Sequence, residues 1–232
     1  MTRWTRPDGE TLYLKCELAE HSEPERERAV QDWLRTRGIR VPQTVAFVRD
    51  GDLEWLLSAA VDGRDPTTTE PDDVERVVSA LARGLRRLHR VPIDDCPFDR
   101  RLAVTVPAAS ARVRAGAIDE DDFDAERLGL SAETVLAQLE ASVPKTEDLV
   151  FTHGDTWLPN LILDDALRLG FVDLGRAGVA DRYQDLALIV RSMESSLYPQ
   201  FNGWSAAFLE RYGVFALDTE KLEFYRLLDE FF

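Results

Sequence analysis

The spacing of apolar residues divides the chain into two regions, and the first sixty residues resemble a small sheet. Short β-rich apolar runs bounded by turn-forming residues predict three strands in this region, at residues 12–16, 45–48 and 55–57. Between the first two strands, Ser22 and Glu25 form a capping-box signature, which predicts a helix that ends near Gly38. The pattern therefore predicts a small α/β lobe that ends near residue 61.

Beyond residue 61 the apolar residues mostly follow a helical period. Residues 72–89 place their leucines and valines on one helical face, and similar patterns predict further helices at 131–142, 182–196, 199–212 and 219–231. The exceptions are a predicted strand at 149–151 and a hairpin formed by 161–163 and 169–172. We therefore predict an α+β fold with two lobes, residues 1–61 and residues 62–232.

Composition limits the classes of protein to which the chain can belong. The 232 residues are 44% hydrophobic, which is enough apolar material for a core, and no run approaches 18 consecutive apolar residues. Because no signal-peptide pattern follows Met1, we expect a soluble, cytoplasmic protein with no membrane partner. Cys16 and Cys96 have no further thiol or histidine at ligand spacing, which argues against a disulfide framework and a zinc site.

The chain is strongly acidic, with a formal net charge of −15. Such a chain should repel a phosphate backbone, so nucleic acid is not expected as a partner, whereas a cationic ligand would be attracted. Solubility, or adaptation to salt, is the alternative explanation of the charge.

The segment from His153 to Asn160, together with Asp173-Leu174-Gly175 after the hairpin, carries the candidate chemistry. Phosphoryl transfer requires a carboxylate that receives or orients the acceptor hydroxyl, and oxygen ligands that hold Mg²⁺ on the nucleotide phosphates. Asp155, Asn160 five residues later and Asp173 at a strand end supply such a set. The alternative is that each of them only caps a helix or shapes a turn.

These motifs resemble those of the aminoglycoside phosphotransferases of the 3′ type, small-molecule kinases with a protein-kinase-like fold. The resemblance covers essentially the whole chain and is densest in residues 149–185 and 224–232. It implies ATP-dependent phosphorylation of the 3′-hydroxyl of kanamycin- or neomycin-like antibiotics, which confers resistance. By the same resemblance Asp155 is the catalytic carboxylate, Asn160 and Asp173 bind Mg²⁺, and His153 supports the loop.

The resemblance also implies a nucleotide site in the first lobe, where Lys15 would hold the α- and β-phosphates of ATP. The candidate carboxylate partners on the helix are Glu23, Glu25 and Glu27. Glu25 is expected to be occupied as the capping residue, whereas Glu27 lies on the inward face. The resemblance agrees on Glu27. Tyr13 shares a strand face with Lys15 and could stack on adenine, although a core tyrosine is the alternative. The backbone of the predicted hinge, at Ala59 and Val61, would read the adenine edge.

The acceptor site is predicted from local charge. Six carboxylates occur within eight residues, at Asp119, Glu120, Asp121, Asp122, Asp124 and Glu126. An acidic loop is often only a solvated face, but a substrate with several ammonium groups requires one near the catalytic carboxylate. The resemblance implies that the substrate is bound by Asp124, Arg176, Arg191, Asp229, Glu230 and the terminal carboxylate of Phe232, with the two arginines as anchors of the carboxylates.

The sequence departs from the family at both sites. The chain is expected to start at the second strand of the first lobe and so to lack the first strand and the phosphate-binding turn, which would lower nucleotide affinity. At the acceptor site, acidic substrate ligands are replaced by Ala125, Ser192, Ser195 and Ser196, which suggests an altered acceptor preference. A kinase for another small hydroxyl compound and a non-catalytic nucleotide-binding remnant are therefore the alternatives. The sequence does not predict an oligomeric state.

Overall fold

The N-terminal region is a four-stranded antiparallel sheet with strand order β1-β2-β4-β3. The computed structural model describes residues 1–18 and 23–232. The strands are β1 (Thr2–Thr5), β2 (Thr11–Leu18), β3 (Gln43–Asp50) and β4 (Leu53–Ala59). Helix α1 (Glu23–Arg35) packs against β3 and β4 and buries Val30 and Leu34 completely. The three predicted strands and the helix are therefore confirmed, and each strand is longer than predicted.

Two details of this region concern the predicted residues Lys15 and Ser22. Strand β2 continues to Leu18 rather than ending at residue 16, so Lys15 lies further inside the strand than predicted. The predicted capping residue Ser22 lies outside the described residues, and the carboxylate of Glu25 pairs with Arg49 at 3.0 Å. At the start of α1, the backbone N–H of Glu25 donates a hydrogen bond of 3.2 Å to the carboxylate of Glu54.

The C-terminal region is mainly helical. Its helices are α2 (Val74–Leu88), α3 (Leu102–Arg114), α4 (Ala132–Ala141), α5 (Tyr183–Glu194), α6 (Ser205–Tyr212) and α7 (Thr219–Asp229). Helix α3 was not predicted, because its buried face includes small or polar residues and Pro107 lies within it. The helix predicted at 199–212 begins only at Ser205, since Gly203 adopts a left-handed backbone with φ 81°.

Two short strand pairs lie among these helices and frame the predicted chemistry. Strand β5 (Leu149–Thr152) pairs with β8 (Gly178–Asp181), and β6 (Leu161–Leu163) forms the predicted hairpin with β7 (Leu169–Phe171). Strand β8 was not predicted because it has only four residues. The loop after β5 lies close to the loop after β7, since the side chain of His153 is hydrogen-bonded to Val172.

The hydrophobic core is continuous between the two regions. Val30 of α1 belongs to the same buried cluster as Leu81 of α2 and Phe171 of β7, whereas α3, α4 and α7 form a second cluster. The lobe boundary at residue 61 stays a prediction. Among the described residues, no helix is both long and apolar enough to cross a membrane.

Candidate active site

The loop after β5 carries Asp155 and has a fixed backbone. Gly154 adopts φ 84°, and a Cβ atom there would lie 2.3 Å from the carbonyl oxygen of Arg176, so only glycine fits. His153 is fully buried; its Nε2 donates to the Val172 carbonyl at 2.8 Å, and its Nδ1 accepts the Asp155 N–H at 3.1 Å. His153 therefore supports the loop from within.

Asp155 and Asn160 are joined by hydrogen bonds. Nδ2 of Asn160 donates to the carboxylate of Asp155 at 2.9 Å and to its backbone oxygen at 3.1 Å. The backbone carbonyl of Asn160 accepts the N–H of Val172 at 3.0 Å, which ties this loop to the segment that precedes Asp173. The three residues of the predicted catalytic set are thus brought to one place.

Asp185 of α5 is a functional candidate that the sequence reasoning missed. Its carboxylate is completely buried and accepts the N–H groups of His153 and Gly154, each at 2.8 Å. Thr156 adds a hydrogen bond of 2.7 Å to the Asp185 carbonyl. A buried carboxylate requires such donors, and both of these amide donors belong to the loop that carries Asp155. The sequence feature that could have indicated Asp185 is its place as an aspartate in the first turn of a strongly apolar helix.

Lys15 lies among carboxylates at the boundary of the two regions. Its Nζ is 3.3 Å from Glu27, 3.3 Å from Asp173 and 3.4 Å from both Glu23 and Glu17. Burial alone would lower the pKa of Lys15, but these carboxylates outweigh it and raise the pKa above its usual value. Lys15 therefore stays charged, and it contacts Glu23 as well as the predicted partner Glu27.

Glu27 is held in place by further polar groups. The side chain of Gln31 donates to Glu27 at 3.2 Å, and Ser58 of β4 donates to Gln31 at 3.3 Å. Burial raises the pKa of Glu27 above its usual value, although Lys15 opposes this effect.

A cavity of about 720 Å³ lies between the sheet and the hairpin. Its lining includes all the residues that the sequence assigned to nucleotide and metal, namely Tyr13, Lys15, Glu27, Ala59, Val61, Asn160 and Asp173. Tyr13 is 36% exposed, so it is not a core residue, and the alternative role is wrong. Between the two hinge residues, the N–H of Ala60 donates to the Thr11 carbonyl at 2.9 Å.

The predicted metal ligands fit Mg²⁺ by their chemistry. Asn160 and Asp173 line the same cavity and offer oxygen atoms, and Asp173 adopts a left-handed backbone with φ 57° that is unusual for a non-glycine residue. No cluster of three or more His, Cys, Asp or Glu side chains suited to a metal occurs in residues 1–18 and 23–232. Two protein ligands are nevertheless what a magnesium ion carried by phosphates requires.

A second cavity of about 810 Å³ has an acidic rim and contains Asp155 in its wall. The lining also includes the residues that the sequence assigned to substrate, namely Asp124, Arg176, Arg191, Asp229, Glu230 and Phe232. Part of the acidic loop is structural: the carboxylate of Glu120 accepts the backbone N–H of Ala132 at 2.7 Å, at the start of α4. The structure thus places Asp155 at a cavity that would attract cations.

Asp229 joins the two arginines of this cavity. Its two carboxylate oxygens accept one hydrogen bond each, from Arg176 and from Arg191, and Arg191 also donates to Asp124 at 3.1 Å. Burial alone would raise the pKa of Asp229, but the two guanidinium groups outweigh it and hold the pKa below its usual value. The carboxylates are therefore oriented by arginines before any ligand binds.

The side chain of Glu230 is only 4% exposed and lies beside the acidic loop. Its carboxylate accepts the backbone N–H of Asp124 at 3.2 Å and a hydrogen bond from Arg127 at 3.0 Å. Burial, and then the charge of Asp124, raise the pKa of Glu230 to about 7. The aromatic ring of Phe232 lies under the guanidinium groups of Arg100 and Arg176, at 5.1 and 5.8 Å from the ring centre.

One expectation for the acceptor site is wrong. Ser192 cannot take the place of an acidic substrate ligand, because it is fully buried and its Oγ accepts the backbone N–H of Leu158 at 3.0 Å. The helical period turns Ser192 towards the core, whereas Ala125, Ser195 and Ser196 do line the cavity.

Comparison with known proteins identifies the family of the chain. A family model described as the phosphotransferase enzyme family matches residues 3–225. An aminoglycoside 3′-phosphotransferase from Streptomyces fradiae is 42% identical over 205 residues, which are 87% of this chain and 76% of the relative. The crystal structure of an aminoglycoside 3′-phosphotransferase of type VIII matches 99% of this chain and 88% of its own, with a TM-score of 0.93 and 41% identity.

A third relative was solved with ligands. It is an aminoglycoside phosphotransferase of the 3″ type from Streptomyces rimosus in complex with ADP and streptomycin, and its TM-score is 0.85 at 32% identity. The match covers 99% of this chain and 89% of that one. The chain therefore has the protein-kinase-like two-lobe fold and belongs to the phosphotransferase enzyme family, where it is similar to the aminoglycoside phosphotransferases.

Proposed function

We propose that the protein transfers the γ-phosphoryl group of ATP to the 3′-hydroxyl of aminoglycoside antibiotics of the kanamycin and neomycin type, and so confers resistance to them. The observation that carries this proposal is the position of Asp155. It lies in the wall of the acidic cavity and is hydrogen-bonded to Asn160, which lines the neighbouring cavity. A sugar hydroxyl bound in one cavity would thus meet a phosphoryl group bound in the other.

The nucleotide belongs in the cavity lined by Lys15. Its ammonium group is charged and lies 3.3 Å from Glu27. The lysine is therefore already oriented for binding to the α- and β-phosphates. Tyr13 offers an aromatic face and the hinge offers backbone groups at Ala59 and Val61 for the adenine ring. The relative solved with ADP supports a nucleotide as a ligand of this protein.

Asn160 and Asp173 would hold Mg²⁺ on the phosphates. When bound, the ion would neutralise charge that develops on the phosphoryl oxygens. Since Lys15 lies 3.3 Å from Asp173, the same aspartate would connect the lysine and the metal.

Asp155 would receive and orient the acceptor hydroxyl. Its backbone is fixed through His153 and Gly154, and its carboxylate through Asn160, so the carboxylate is oriented before the substrate arrives. This transfer requires no covalent intermediate, because the hydroxyl oxygen attacks the γ-phosphorus as the bond to ADP breaks.

The acceptor cavity would select a polycation. Asp124, Asp229 and Glu230 lie on its wall, and Arg176 and Arg191 keep the first two in fixed positions. Ammonium groups of an aminoglycoside would meet this acidic surface at short range, where the net charge of −15 also favours their approach.

Phosphorylation of a 3″-hydroxyl is a second candidate. It is favoured by the similarity to the relative solved with streptomycin and by Ser195 and Ser196, which line the cavity where the family commonly has acidic ligands. The two candidates share Asp155 and differ in how the acceptor lies in the cavity.

A coupled ADP-release assay separates them. Kanamycin, neomycin, a 3′-deoxy analogue and streptomycin are offered with Mg·ATP, and ³¹P NMR identifies the phosphorylated hydroxyl. We expect turnover with the first two, none with the 3′-deoxy compound, and a raised inhibitory concentration of kanamycin in cells that express the protein. Equal turnover with the 3′-deoxy compound, or turnover that survives Asp155→Ala, would overturn the 3′ assignment. Turnover with streptomycin alone would establish the second candidate.

A further inference from the structure

We propose that His89 and Tyr212 are positioning residues for the loop that carries Asp155 and that they act through Asp185. The kinetic part of this inference rests on the proposed function. Neither His89 nor Tyr212 lines the nucleotide or the acceptor cavity. They lie at the ends of two helices, directly after α2 and at the last residue of α6.

A line of short hydrogen bonds joins these residues to the loop. His89 Nε2 is 2.8 Å from the carboxylate of Asp185, and His89 Nδ1 is 2.7 Å from the hydroxyl of Tyr212. The side chain of His89 is only 2% exposed and that of Asp185 is not exposed at all. The carboxylate then receives the two loop amides, of His153 and Gly154. Tyr212 is thus connected to a position next to Asp155 entirely through buried groups.

The donors and acceptors of this line match when His89 is the tautomer with its proton on Nε2. Nε2 then donates to the carboxylate of Asp185, and Nδ1 accepts from the hydroxyl of Tyr212. The oxygen of Tyr212 in turn accepts from Arg182 at 3.4 Å. Burial raises the pKa of Tyr212 to about 12, which keeps the hydroxyl proton that the arrangement requires. Each bond polarises the next in the same direction.

The energetic reason lies with Asp185. A buried carboxylate is costly unless donors surround it, and His89 is its only side-chain donor in the described part of the chain. Without that donor, Asp185 would be drawn towards water or towards its remaining amide partners, and the backbone at His153 and Gly154 would move with it. Displacement of a reacting group by about 1 Å can reduce a rate about a hundredfold.

Three substitutions test this role. His89→Leu removes both hydrogen bonds, Tyr212→Phe removes one hydroxyl and keeps the ring, and His89→Gln can still donate to Asp185 and accept from Tyr212. Val135→Ala is the control, because Val135 is fully buried in α4, within the other core cluster. It lowers stability without touching the line of hydrogen bonds.

We expect kcat to fall about 10- to 100-fold in His89→Leu and about 2- to 10-fold in Tyr212→Phe, with both KM values within twofold of wild type. His89→Gln should recover most of the lost kcat. A purely structural role predicts instead that His89→Leu and Tyr212→Phe lower the melting temperature. Their kcat per nucleotide-binding site would then equal that of Val135→Ala.

Hydrogen exchange gives a readout that does not depend on turnover. The backbone amides of His153 and Gly154, followed by NMR in the full chain, should exchange faster in His89→Leu and in Tyr212→Phe than in Val135→Ala. Wild-type exchange at these amides in both variants would overturn the positioning role, as would a wild-type kcat. Should the unmodified protein phosphorylate no acceptor, the proposed function fails, while the exchange rates still decide the role of His89. Should His89→Leu not fold, Tyr212→Phe and His89→Gln decide it.

Discussion

The side-chain amide of Asn160 donates a hydrogen bond of 2.9 Å to the carboxylate of Asp155. A second bond of 3.1 Å from the same nitrogen reaches the Asp155 carbonyl. Because both amide hydrogens are directed at Asp155, the side-chain oxygen of Asn160 remains an acceptor for the nucleotide cavity that this residue lines. One residue thereby fixes the distance between the proposed acceptor-orienting carboxylate and the proposed metal site.

Replacement of the Asp155 carboxylate should remove transfer but not binding. In Asp155→Asn we expect kcat to fall about 10²- to 10⁴-fold, because an amide cannot accept the hydroxyl proton. The KM values for ATP and for kanamycin should stay within a few fold of wild type, since neither cavity loses volume. Steady-state kinetics measure both. The control is Asp165→Asn, at the exposed turn of the hairpin, which should keep wild-type rates. A kcat of Asp155→Asn within tenfold of wild type would contradict the assignment.

A methyl group at residue 154 should distort the catalytic loop. The added Cβ of Gly154→Ala would lie 2.3 Å from the Arg176 carbonyl, and alanine is strained at φ 84°. We expect a loss of at least about 1–3 kcal/mol in the free energy of unfolding, together with a kcat roughly 100-fold lower. Gly116→Ala separates the two causes, because that residue has φ 63° but nothing within 4 Å of the added carbon. Equal kcat values for the two variants would show that loop geometry is not critical.

The pairing of Asp229 with two arginines should make the free energy of unfolding depend on pH in the acid range. Because the folded protein lowers the pKa of Asp229, the stabilisation is present above the usual pKa of 3.8 and is lost as the pH falls below it. Asp229→Asn should cost about 3 kcal/mol or more at pH 7 and should flatten the decline in stability below pH 4. Urea unfolding between pH 2.5 and 7 measures this. If the free energy of unfolding declines equally with pH in wild type and in Asp229→Asn, then the ion pairs of Asp229 do not contribute to the pH dependence of stability.

Much of the fold follows from the sequence because its elements are strongly patterned. Helix α2 and the hairpin of β6 and β7 were predicted within about two residues of their observed bounds. Helix α3 was missed because alanine, threonine and an internal proline give it only a weak apolar face. Strand β8 has four residues, and its pairing with β5 is a tertiary contact that no local pattern contains.

The residues of the site were found where a motif fixes their order, and missed where only the fold brings them together. Asp155, Asn160 and Asp173 form a motif, whereas Asp185 reaches the loop from a helix thirty residues later. Ser192 shows the opposite error: it follows Arg191 in the sequence, yet the helical turn buries it. Sequence spacing alone therefore identifies the candidate catalytic residues but not the side chains that position them.

Glu230 should make both stability and substrate binding depend on pH near neutrality. A carboxyl whose pKa is raised from 4.5 to about 7 binds its proton more tightly in the folded state. The resulting stabilisation is complete below about pH 4.5 and is lost as the pH rises through about 7. Relative to Glu230→Gln, wild type should therefore lose stability between pH 5 and pH 8. Over the same interval the ionised carboxylate should begin to attract ammonium groups, so Glu230→Gln should raise the KM for kanamycin at pH 8 and not at pH 5.5.

The matched control is Glu223→Gln in α7, the helix that ends just before Glu230. Glu223 is 53% exposed and, among the described residues, pairs only with Arg226. Chemical denaturation at pH 5 and pH 8, and kinetics at pH 5.5 and pH 8, compare the three proteins. A stability difference between wild type and Glu230→Gln that is the same at both pH values would show that Glu230 does not titrate in this range. If the KM for kanamycin responds to pH equally in all three proteins, the titration belongs to the amino groups of the antibiotic rather than to Glu230.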